Sequence, residues 1–309
     1  RLMKSLPEGW VYCDADGSRF DSSLTPLLLN AVLHVRLALM EEWQLGAQLL
    51  KNLYAEIVYT PIATPDGSVV KKFKGNNSGQ ASTVVDNSLM VLITMQYALE
   101  RQGIQLDKQD SVIRYFINGD DLIIAVEPAH TEILAGLQTT FAELGLDFDF
   151  SNRTTDRTEL SYMSHQGILR DGVYIPKICK ERVVSILEWD RSDSPQQRLD
   201  AICAAQIEAW GYDDLLKKIR EFYAWLIGME PFKHIASEGG APYVAETALR
   251  YLYLEADADA NELEKYIRSY EQRLSESKAE EMVMFQSGTE DAGSEEEKRK
   301  RAEEKAKRE

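Results

Sequence analysis

Two apolar segments joined by a short polar turn limit how this chain can fold. Residues 112–117 and 122–126 are rich in β-branched and aromatic side chains, which favour strands, and residues 118–121 between them are polar. The pattern predicts an antiparallel hairpin with Asp120 and Asp121 at its tip. Adjacent aspartates are common in turns, so this hairpin by itself is equally compatible with an ordinary polar loop.

The apolar pattern elsewhere predicts an α+β protein. Short strands are expected over residues 10–13 and 147–150, with a tight hairpin at residues 66–67 and a strand pair that turns at residues 170–172. Beyond Lys180 the chain is expected to be entirely helical. Helices are predicted for residues 24–58, 82–101, 130–144, 194–210, 213–227, 242–255 and 261–275.

The overall composition excludes several classes of protein. The 309 residues are 44% hydrophobic, which is enough for a core. No segment approaches the roughly 18 uninterrupted apolar residues of a membrane span, and no signal-peptide pattern is seen. Cys13, Cys179 and Cys203 lack metal-site spacing, which indicates reduced, structural thiols. The net charge is −16, with acidic residues concentrated from Glu255 onward, so this chain alone is expected to bind nucleic acid poorly.

The two ends of the sequence differ in character. The chain begins with Arg1 and runs directly into a strand pattern, which is expected of a piece of a longer protein. Beyond residue 276 the apolar pattern stops, and residues 294–301 are a run of charges that cannot build a core. A disordered, charged tail is therefore predicted.

Asp16 lies just beyond the strand predicted for residues 10–13. If that strand neighbours the hairpin, Asp16, Asp120 and Asp121 meet at one edge of a sheet. Two-metal phosphoryl transfer needs divalent ions about 3.5–4 Å apart, and Mg²⁺ prefers carboxylates that converge from separate segments. The three aspartates are therefore candidate metal ligands. The alternative is that residues 16–23 form an ordinary turn with a serine helix cap.

A third polar segment, residues 78–88, leads from a glycine loop, residues 75–79, into a predicted helix. Gly79 would let the backbone approach a ligand closely. Thr83 and Asn87 are four residues apart, so they share one face of the helix. The alternative is a polar helix cap at Ser78 or Ser82, with Asn87 merely exposed.

In this order and spacing, the three segments resemble motifs A, B and C of positive-strand viral RNA polymerases. The sequence around them, at residues 13–24, 75–80 and 163–165, is similar to the nuclear inclusion b polymerases of potyviruses, and the resemblance extends to Gln286. The matching residues are Asp16-x4-Asp21, Ser78-Gly79-x3-Thr83-x3-Asn87 and Gly119-Asp120-Asp121.

The resemblance implies an architecture and an activity. Residues 1–178 would form the palm of a right-hand polymerase, an antiparallel sheet with packed helices that carries motifs A to E. Residues 179–275 would form an all-helical thumb, and the fingers would lie upstream and be missing. The implied activity is RNA-dependent RNA synthesis, in which a nucleoside triphosphate is joined to an RNA 3′-hydroxyl as an RNA template directs.

The resemblance also implies catalytic roles. Asp16 and Asp120 would bind two Mg²⁺ ions, with Mn²⁺ as an alternative, and Asp121 would support them. Polymerases of this type often use a motif D lysine as general acid, but residues 152–157 contain no lysine, and Arg157 is the nearest basic candidate. Arginine holds its proton too tightly to be a good acid, so no catalytic role is assigned to it.

The nucleotide-binding roles implied by the resemblance fall on motifs A and B. Asp21 and Asn87 would sense the ribose 2′-hydroxyl, since a carboxylate accepts a hydrogen bond and an amide can donate or accept one. Ser78, Gly79 and Thr83 would position the template and the incoming nucleotide. RNA template, RNA product and nucleoside triphosphates are the implied partners.

The segment around Gln286 and Ser287 resembles the site that the potyviral nuclear inclusion a protease cuts. Residues 276–286 would then be a linker, and residues 287–309 the truncated, disordered N-terminal arm of a coat protein. The polymerase would act in the viral replication complex in the host cytoplasm and also enter the nucleus, whereas the coat protein belongs to the virion. Any membrane association would come through partners.

Other classes of function fit parts of the sequence. A reverse transcriptase shares the palm, but Gly119-Asp120-Asp121 together with Asn87 argues against it. A capsid protein would account only for the residues after Gln286. A binding module or an inactive precursor would show no nucleotide transfer, and the fragment alone is expected to be inactive if the fingers are needed to close the site.

Overall fold

The chain divides into two compact units, Arg1–Gly167 and Ile168–Glu309. This boundary lies N-terminal to residue 178, where the sequence predicts the end of the palm. The predicted linker, cleavage site and tail, residues 276–309, lie outside the described residues. The computed structural model describes residues 1–40, 44–189, 192–255 and 267–269, the last of these for the backbone alone.

The first unit combines a four-stranded antiparallel sheet with helices. Its strands are β1 (Val11–Ala15), β2 (Pro61–Ala63), β3 (Val69–Lys71), β4 (Ile113–Asn118), β5 (Asp121–Val126), β6 (Arg153–Thr154) and β7 (Ser161–Tyr162). Its helices are α1 (Leu2–Ser5), α2 (Phe20–Ser23), α3 (Pro26–Leu39), α4 (Gln44–Tyr59), α5 (Thr83–Arg101), α6 (Gln109–Val112) and α7 (Ile133–Glu143). The sheet order is β4-β5-β1-β6, while β2 and β3 form the separate hairpin predicted around residues 66–67.

The register of strands β1, β4 and β5 brings two acidic segments to the same end of the sheet. Strand β1 runs antiparallel to β5, with Ala15 opposite Leu122. Strand β4 pairs with the other edge of β5 as far as Asn118 opposite Asp121, which confirms the predicted hairpin. Asp16 therefore leaves β1 where the β4–β5 hairpin turns.

Strand β5 is the buried centre of this sheet, and all five residues of Leu122–Val126 are buried. Alternate residues Leu122, Ile124 and Val126 join the core that also contains Met90 of α5 and Leu134 of α7. A strand that is covered on both faces reads as a continuous apolar run rather than an alternating one. This burial explains why the hairpin is so visible in the sequence.

Four buried phenylalanines hold the segment after β1 against α7. The rings of Phe20, Phe141, Phe148 and Phe150 form four pairs with centroids 5.1–6.0 Å apart, three of them edge to face. A Cβ atom on Gly17 would lie 2.7 Å from the Phe20 ring and 2.9 Å from the Phe148 ring. The turn from β1 into α2 is therefore fixed by close packing as well as by hydrogen bonds.

The second unit is mainly helical around its own apolar core. Strand β8 (His165–Arg170) begins in the first unit and continues into the second, and with β9 (Val173–Lys177) it confirms the strand pair predicted to turn at residues 170–172. No helix among the described residues of either unit is long and apolar enough to cross a membrane. The remaining elements are α8 (Lys180–Glu188), α9 (Pro195–Ala209), α10 (Asp213–Leu226), α11 (Phe232–Ser237), β10 (Pro242–Val244), α12 (Glu246–Leu254) and β11 (Ile267–Ser269).

The prediction of an entirely helical thumb is wrong in one place. Residues 242–255 do not form one helix, because Pro242–Val244 form strand β10, which pairs with Ile267–Ser269. Tyr243 and Val244 are buried, and aromatic and β-branched residues fit a strand well. Strand β11 also lies inside the helix predicted for residues 261–275, whose other residues lie outside the described part of the chain.

The strand predicted for residues 147–150 is reduced to one bridge, between Gly17 and Phe148. Its alternating apolar residues pack into the phenylalanine cluster instead of extending the sheet. The strand that completes the sheet comes later, at Arg153–Thr154. An alternating pattern reports burial of one face and does not by itself select the hydrogen-bonding partner.

All three cysteines are free, and two of them, Cys13 and Cys203, are buried. Burial raises the pKa of both buried thiols to about 12. The two side chains therefore stay protonated near neutral pH and behave as small apolar groups. For these two residues the predicted structural role is confirmed.

Replacing Phe141 with alanine should lower the free energy of unfolding of this chain by about 3–5 kcal/mol, because it removes a fully buried ring that contacts Phe148 and Phe150 and leaves a cavity. The matched control is Phe73→Ala, since Phe73 is 63% exposed and its loss should cost less than about 0.5 kcal/mol. Urea unfolding followed by circular dichroism measures both. Equal losses would show that the cluster does not anchor this unit.

Candidate active site

A two-residue turn, Gly119-Asp120, closes the β4–β5 hairpin. Gly119 has a φ of +66°, and a glycine with positive φ at the first central position is typical of a type II′ hairpin turn. The Gly119 N–H donates to the Ser88 hydroxyl of α5 at 2.8 Å. The tip that carries the aspartates is therefore held by the turn and by a contact to a neighbouring helix.

Acidic side chains from motif A and from this tip lie close enough to affect one another. Burial raises the pKa of Asp120, and the negative charges of Asp16 and Asp21 raise it further. Burial also raises the pKa of Asp121, and the charges of Asp120 and Asp16 add to the effect, while a hydrogen bond from the Met163 backbone N–H opposes it. The structure thus brings together the three aspartates that the sequence singles out as candidate metal ligands.

The three aspartates are candidate ligands for a metal ion. Among the described residues, no three His, Cys, Asp or Glu side chains are arranged to hold a metal ion. The donor type and the position fit Mg²⁺, which takes oxygen ligands, and the assignment of Asp16, Asp120 and Asp121 as ligands stays a prediction.

Three of the predicted nucleotide-binding residues meet on one carboxylate. Asp21, on α2, accepts a hydrogen bond from the Ser78 hydroxyl at 2.6 Å and another from the Asn87 side-chain amide at 3.2 Å. The residues are far apart in sequence and come from α2, the glycine loop and α5. The contacts place motifs A and B side by side, as the resemblance implies.

The backbone of the glycine loop is fixed directly to α2. The Gly75 N–H donates to the Leu24 carbonyl at 2.7 Å, and the Asn76 N–H donates to the Asp21 carbonyl at 2.8 Å. Gly75 has a φ of +92°, and a Cβ atom there would lie 2.7 Å from the Asp21 carbonyl oxygen. Only glycine allows this approach.

Thr83 and Gly79 stabilise the conformation of the glycine loop in the structure. The Thr83 hydroxyl lies 2.8 Å from the carbonyl oxygens of both Asn77 and Gln80 and donates to them. Gly79 has a φ of +88° with open space around its Cα. These contacts lie within the loop, so the role predicted for Thr83 toward template or nucleotide stays a prediction.

Arg157 is anchored to the start of the chain. Its guanidinium donates to the Tyr12 hydroxyl at 3.1 Å and to the Met3 carbonyl at 3.2 Å, and it lies 5.9 Å from the centre of the Tyr12 ring. Glu8 lies 3.6 Å away. These contacts give Arg157 a structural role and agree with leaving it without a catalytic one.

Sequence reasoning missed a group of buried polar side chains behind motif B. Asp86 and Asn76 are 0% and 4% exposed, and both belong to a hydrogen-bonded group that includes Gln80. A signal was present, because Asp86 precedes Met90 and Thr94 at four-residue intervals along the buried face of α5. A charged residue at such a position requires partners.

A family model described as viral RNA-dependent RNA polymerase matches residues 1–227. The chain is 61% identical to the genome polyprotein of Pea seed-borne mosaic virus over 275 residues, which is 89% of the chain and 9% of that polyprotein. It is 57% identical to the genome polyprotein of Tobacco vein mottling virus over 293 residues, 94% of the chain and 10% of that polyprotein. It therefore spans about a tenth of the length of these relatives.

Solved structures share the fold at much lower identity. The RNA-dependent RNA polymerase of a human picorbirnavirus superposes with a TM-score of 0.61 at 18% identity, over 86% of this chain and 51% of that one. An insertion-loop deletion mutant of the same polymerase gives a TM-score of 0.60 at 15% identity, over 77% and 48%. The likeness concerns the fold, a mixed arrangement of helices and sheet.

Changing Asp120 to asparagine should raise the melting temperature of this chain in metal-free buffer by about 1–2 °C, because it removes one partner of a repelling group of carboxylates. Asp107→Asn is the control, since Asp107 is exposed and lies away from the tip. Differential scanning calorimetry in the presence of a chelator measures both. A lower melting temperature for Asp120→Asn would contradict the repulsion described above.

Proposed function

The chain belongs to the viral RNA-dependent RNA polymerases, and on that premise we propose that it carries the catalytic palm of such an enzyme. The reaction is the template-directed transfer of a nucleoside monophosphate to an RNA 3′-hydroxyl during replication of a positive-strand RNA genome. Because the chain spans 9–10% of the length of the polyproteins it matches, this activity is assigned to the larger polymerase of which it forms part.

The observation that carries the proposal is the meeting of Asp16 with Asp120 and Asp121. Two strands deliver the three carboxylates to one end of the sheet, where burial, and after it the charges of the neighbouring carboxylates, raise the pKa values of the two tip aspartates. A group of carboxylates that destabilise one another is expected where a cation is to be bound, since the cation offsets their repulsion. Structural ion pairs would not leave acidic groups facing each other.

Asp16 and Asp120 would hold Mg²⁺, with Asp121 in support. When bound, divalent ions supply charge neutralisation at the attacking and leaving oxygens of phosphoryl transfer. The contribution of the chain itself is positioning: the pairing of β1 with β5 sets the spacing, and the contact of Gly119 with Ser88 holds the tip. Positioning and electrostatics account for most of the catalysis in phosphoryl transfer.

Asp21 and Asn87 would select ribonucleotides. The Asp21 carboxylate can accept a hydrogen bond from a ribose 2′-hydroxyl, and the Asn87 amide group beside it can donate one back. Ser78 holds Asp21 from the other side, and Gly79 and Thr83 shape the loop in which Ser78 lies. A site built for a hydroxyl rejects an analogue that lacks it, because polar groups are then left unpaired.

The remaining expectations complete the proposal for the larger protein. The second unit would be the thumb, beside the RNA template and product, with fingers supplied by the rest of the polymerase. A viral protease would cut between Gln286 and Ser287, after which coat protein begins. The polymerase would work in cytoplasmic replication complexes and enter the host nucleus. Sequence resemblance supports these points.

Primer extension on an RNA template tests the proposal. In the full viral polymerase that contains this sequence, Asp120→Ala should lower the rate of ribonucleotide incorporation by about 10²–10⁴-fold, the loss expected from several kcal/mol of charge stabilisation. Asp107→Ala, a change at an exposed aspartate, should extend primers like the parent. A chelator should stop the reaction, and added Mg²⁺ should restore it.

An Asp120→Ala polymerase that extends primers as fast as its parent would reject the assignment. A parent that incorporates only deoxyribonucleotides would instead favour a reverse transcriptase. A parent that incorporates neither, when complete and folded, would mean that this palm is not catalytic.

A further inference from the structure

Asp86 is a fully buried carboxylate next to the candidate ribose-binding residues. It accepts a hydrogen bond from the Tyr54 hydroxyl at 2.8 Å and forms an ion pair with Arg36 at 2.7 Å. On its other oxygen it accepts from the Gln80 side-chain amide at 3.1 Å. A buried charge is costly unless it is paired and hydrogen-bonded, so these partners keep Asp86 in place.

Gln80 connects Asp86 to the glycine loop. A carboxylate can only accept hydrogen bonds, so the Gln80 side chain must turn its NH₂ group toward Asp86. Its carbonyl oxygen then accepts from the Ser82 backbone N–H at 3.0 Å. The same NH₂ group lies 3.4 Å from the side-chain oxygen of Asn76. The orientation of the Gln80 amide is therefore fixed by Asp86 together with the Ser82 N–H.

The orientation of the Gln80 amide determines that of two further side-chain amides, Asn76 and Asn87. With its oxygen facing Gln80, Asn76 turns its NH₂ group to the side-chain oxygen of Asn87, at 2.8 Å. Asn87 must then turn its own NH₂ group to Asp21, at 3.2 Å. We call Gln80, Asn76 and Asn87 the amide relay. Gln80 donates both to Asp86 and to Asn76, and from Gln80 onward each amide donates to the next group, ending at the Asp21 carboxylate.

The opposite orientation of the amide relay is unfavourable at both ends. Turning Gln80 around would point its oxygen at the Asp86 carboxylate. Turning Asn76 and Asn87 with it would point the Asn87 oxygen at Asp21, where two acceptors would face each other without a proton between them. Such a contact leaves partly buried acceptors unpaired, which costs more than a normal hydrogen bond gains.

We propose that Asp86 is a positioning residue for ribose selection, which acts through the amide relay to keep the NH₂ group of Asn87 directed at Asp21. The inference rests on the proposed function, because it concerns how that site recognises a ribose 2′-hydroxyl. A hydroxyl placed there donates to Asp21 and accepts from the Asn87 NH₂ group. Asp86 does not touch the nucleotide and sets only the donor that the nucleotide meets.

A purely structural role for Asp86 makes a different prediction. Tyr54 and Arg36 tie α4 and α3 to α5 through the same carboxylate. If that were its only task, any change that weakened these ties would affect stability and overall rate, and would leave the preference for ribonucleotides unchanged. The ratio of incorporation efficiencies for ribo- and deoxyribonucleotides therefore separates the two roles.

The experiment compares kcat/KM for a ribonucleoside triphosphate and its 2′-deoxy analogue in the full viral polymerase. Asp86→Asn keeps the shape of the side chain but lets it donate as well as accept, so the relay loses one of the two carboxylates that fix its direction. The preference for the ribonucleotide should fall by about five- to tenfold, the loss expected when one directed hydrogen bond is removed. Tyr54→Phe is the matched control, because it removes a hydrogen bond to Asp86 without touching the relay, and its preference should equal that of the parent.

Gln80→Met provides a second test that leaves Asp86 and its ion pair intact. It interrupts the relay and should lower the ribonucleotide preference as Asp86→Asn does, so it decides the matter if Asp86→Asn fails to fold. The inference is overturned if a folded Gln80→Met or Asp86→Asn variant keeps the parental preference for ribonucleotides. It is also overturned if Tyr54→Phe lowers that preference as much as these two variants do. If the parent and the variants all copy RNA and reject deoxyribonucleotides equally well, this inference alone is overturned and the proposed function stands. A parent that incorporates no ribonucleotides rejects the proposed function as well.

Discussion

The antiparallel pairing of β1 with β5 is the constraint on which the candidate site depends. Ala15, the last residue of β1, lies opposite Leu122, so the residue that follows β1 is Asp16 and the residue before Leu122 is Asp121. A slip of one residue in this pairing would turn every side chain of β1 to the other face of the sheet. The apolar residues of β5 fix the register because they are buried, so the core of the protein also determines where its acidic groups meet.

The sheet alone does not build the site, because the glycine loop and α5 must be brought to α2. Backbone hydrogen bonds from Gly75 and Asn76 do this at short range. Behind them, buried polar side chains replace the apolar packing that a helix such as α5 would otherwise use. Buried polar groups add little net stability. When each of them has its hydrogen-bond partners, however, they make one arrangement of the chain much lower in free energy than the alternatives. The arrangement around Asp86 fits that description, and it lies beside the residues proposed to read the ribose.

Much of this architecture could be predicted from the sequence, for physical reasons that differ between elements. The β4–β5 hairpin and α5 were predictable because long apolar patterns with a strong turn signal dominate the local energetics. The motifs could be recognised together because their order and spacing are specific, and membership of the viral RNA-dependent RNA polymerases is confirmed. Short segments were less predictable. Residues 147–150 alternate like a strand but pack into the phenylalanine cluster, and residues 242–244 pair with a strand far along the chain. The role proposed for Asp86 could not be predicted from the sequence around it, because its partners come from α3, α4 and the glycine loop.

The site therefore combines a feature that is visible in the sequence, the acidic turn, with one that only the fold reveals, the polar support behind motif B. The central claim is that Asp16 and Asp120 share a metal. Crystals of the full viral polymerase grown with primer, template and Mn²⁺ test it directly through anomalous scattering. The account predicts a Mn²⁺ peak within ligand distance, roughly 2.0–2.3 Å, of oxygens from both carboxylates. A Mn²⁺ peak bound elsewhere, with Asp16 and Asp120 sharing no ion, would contradict it.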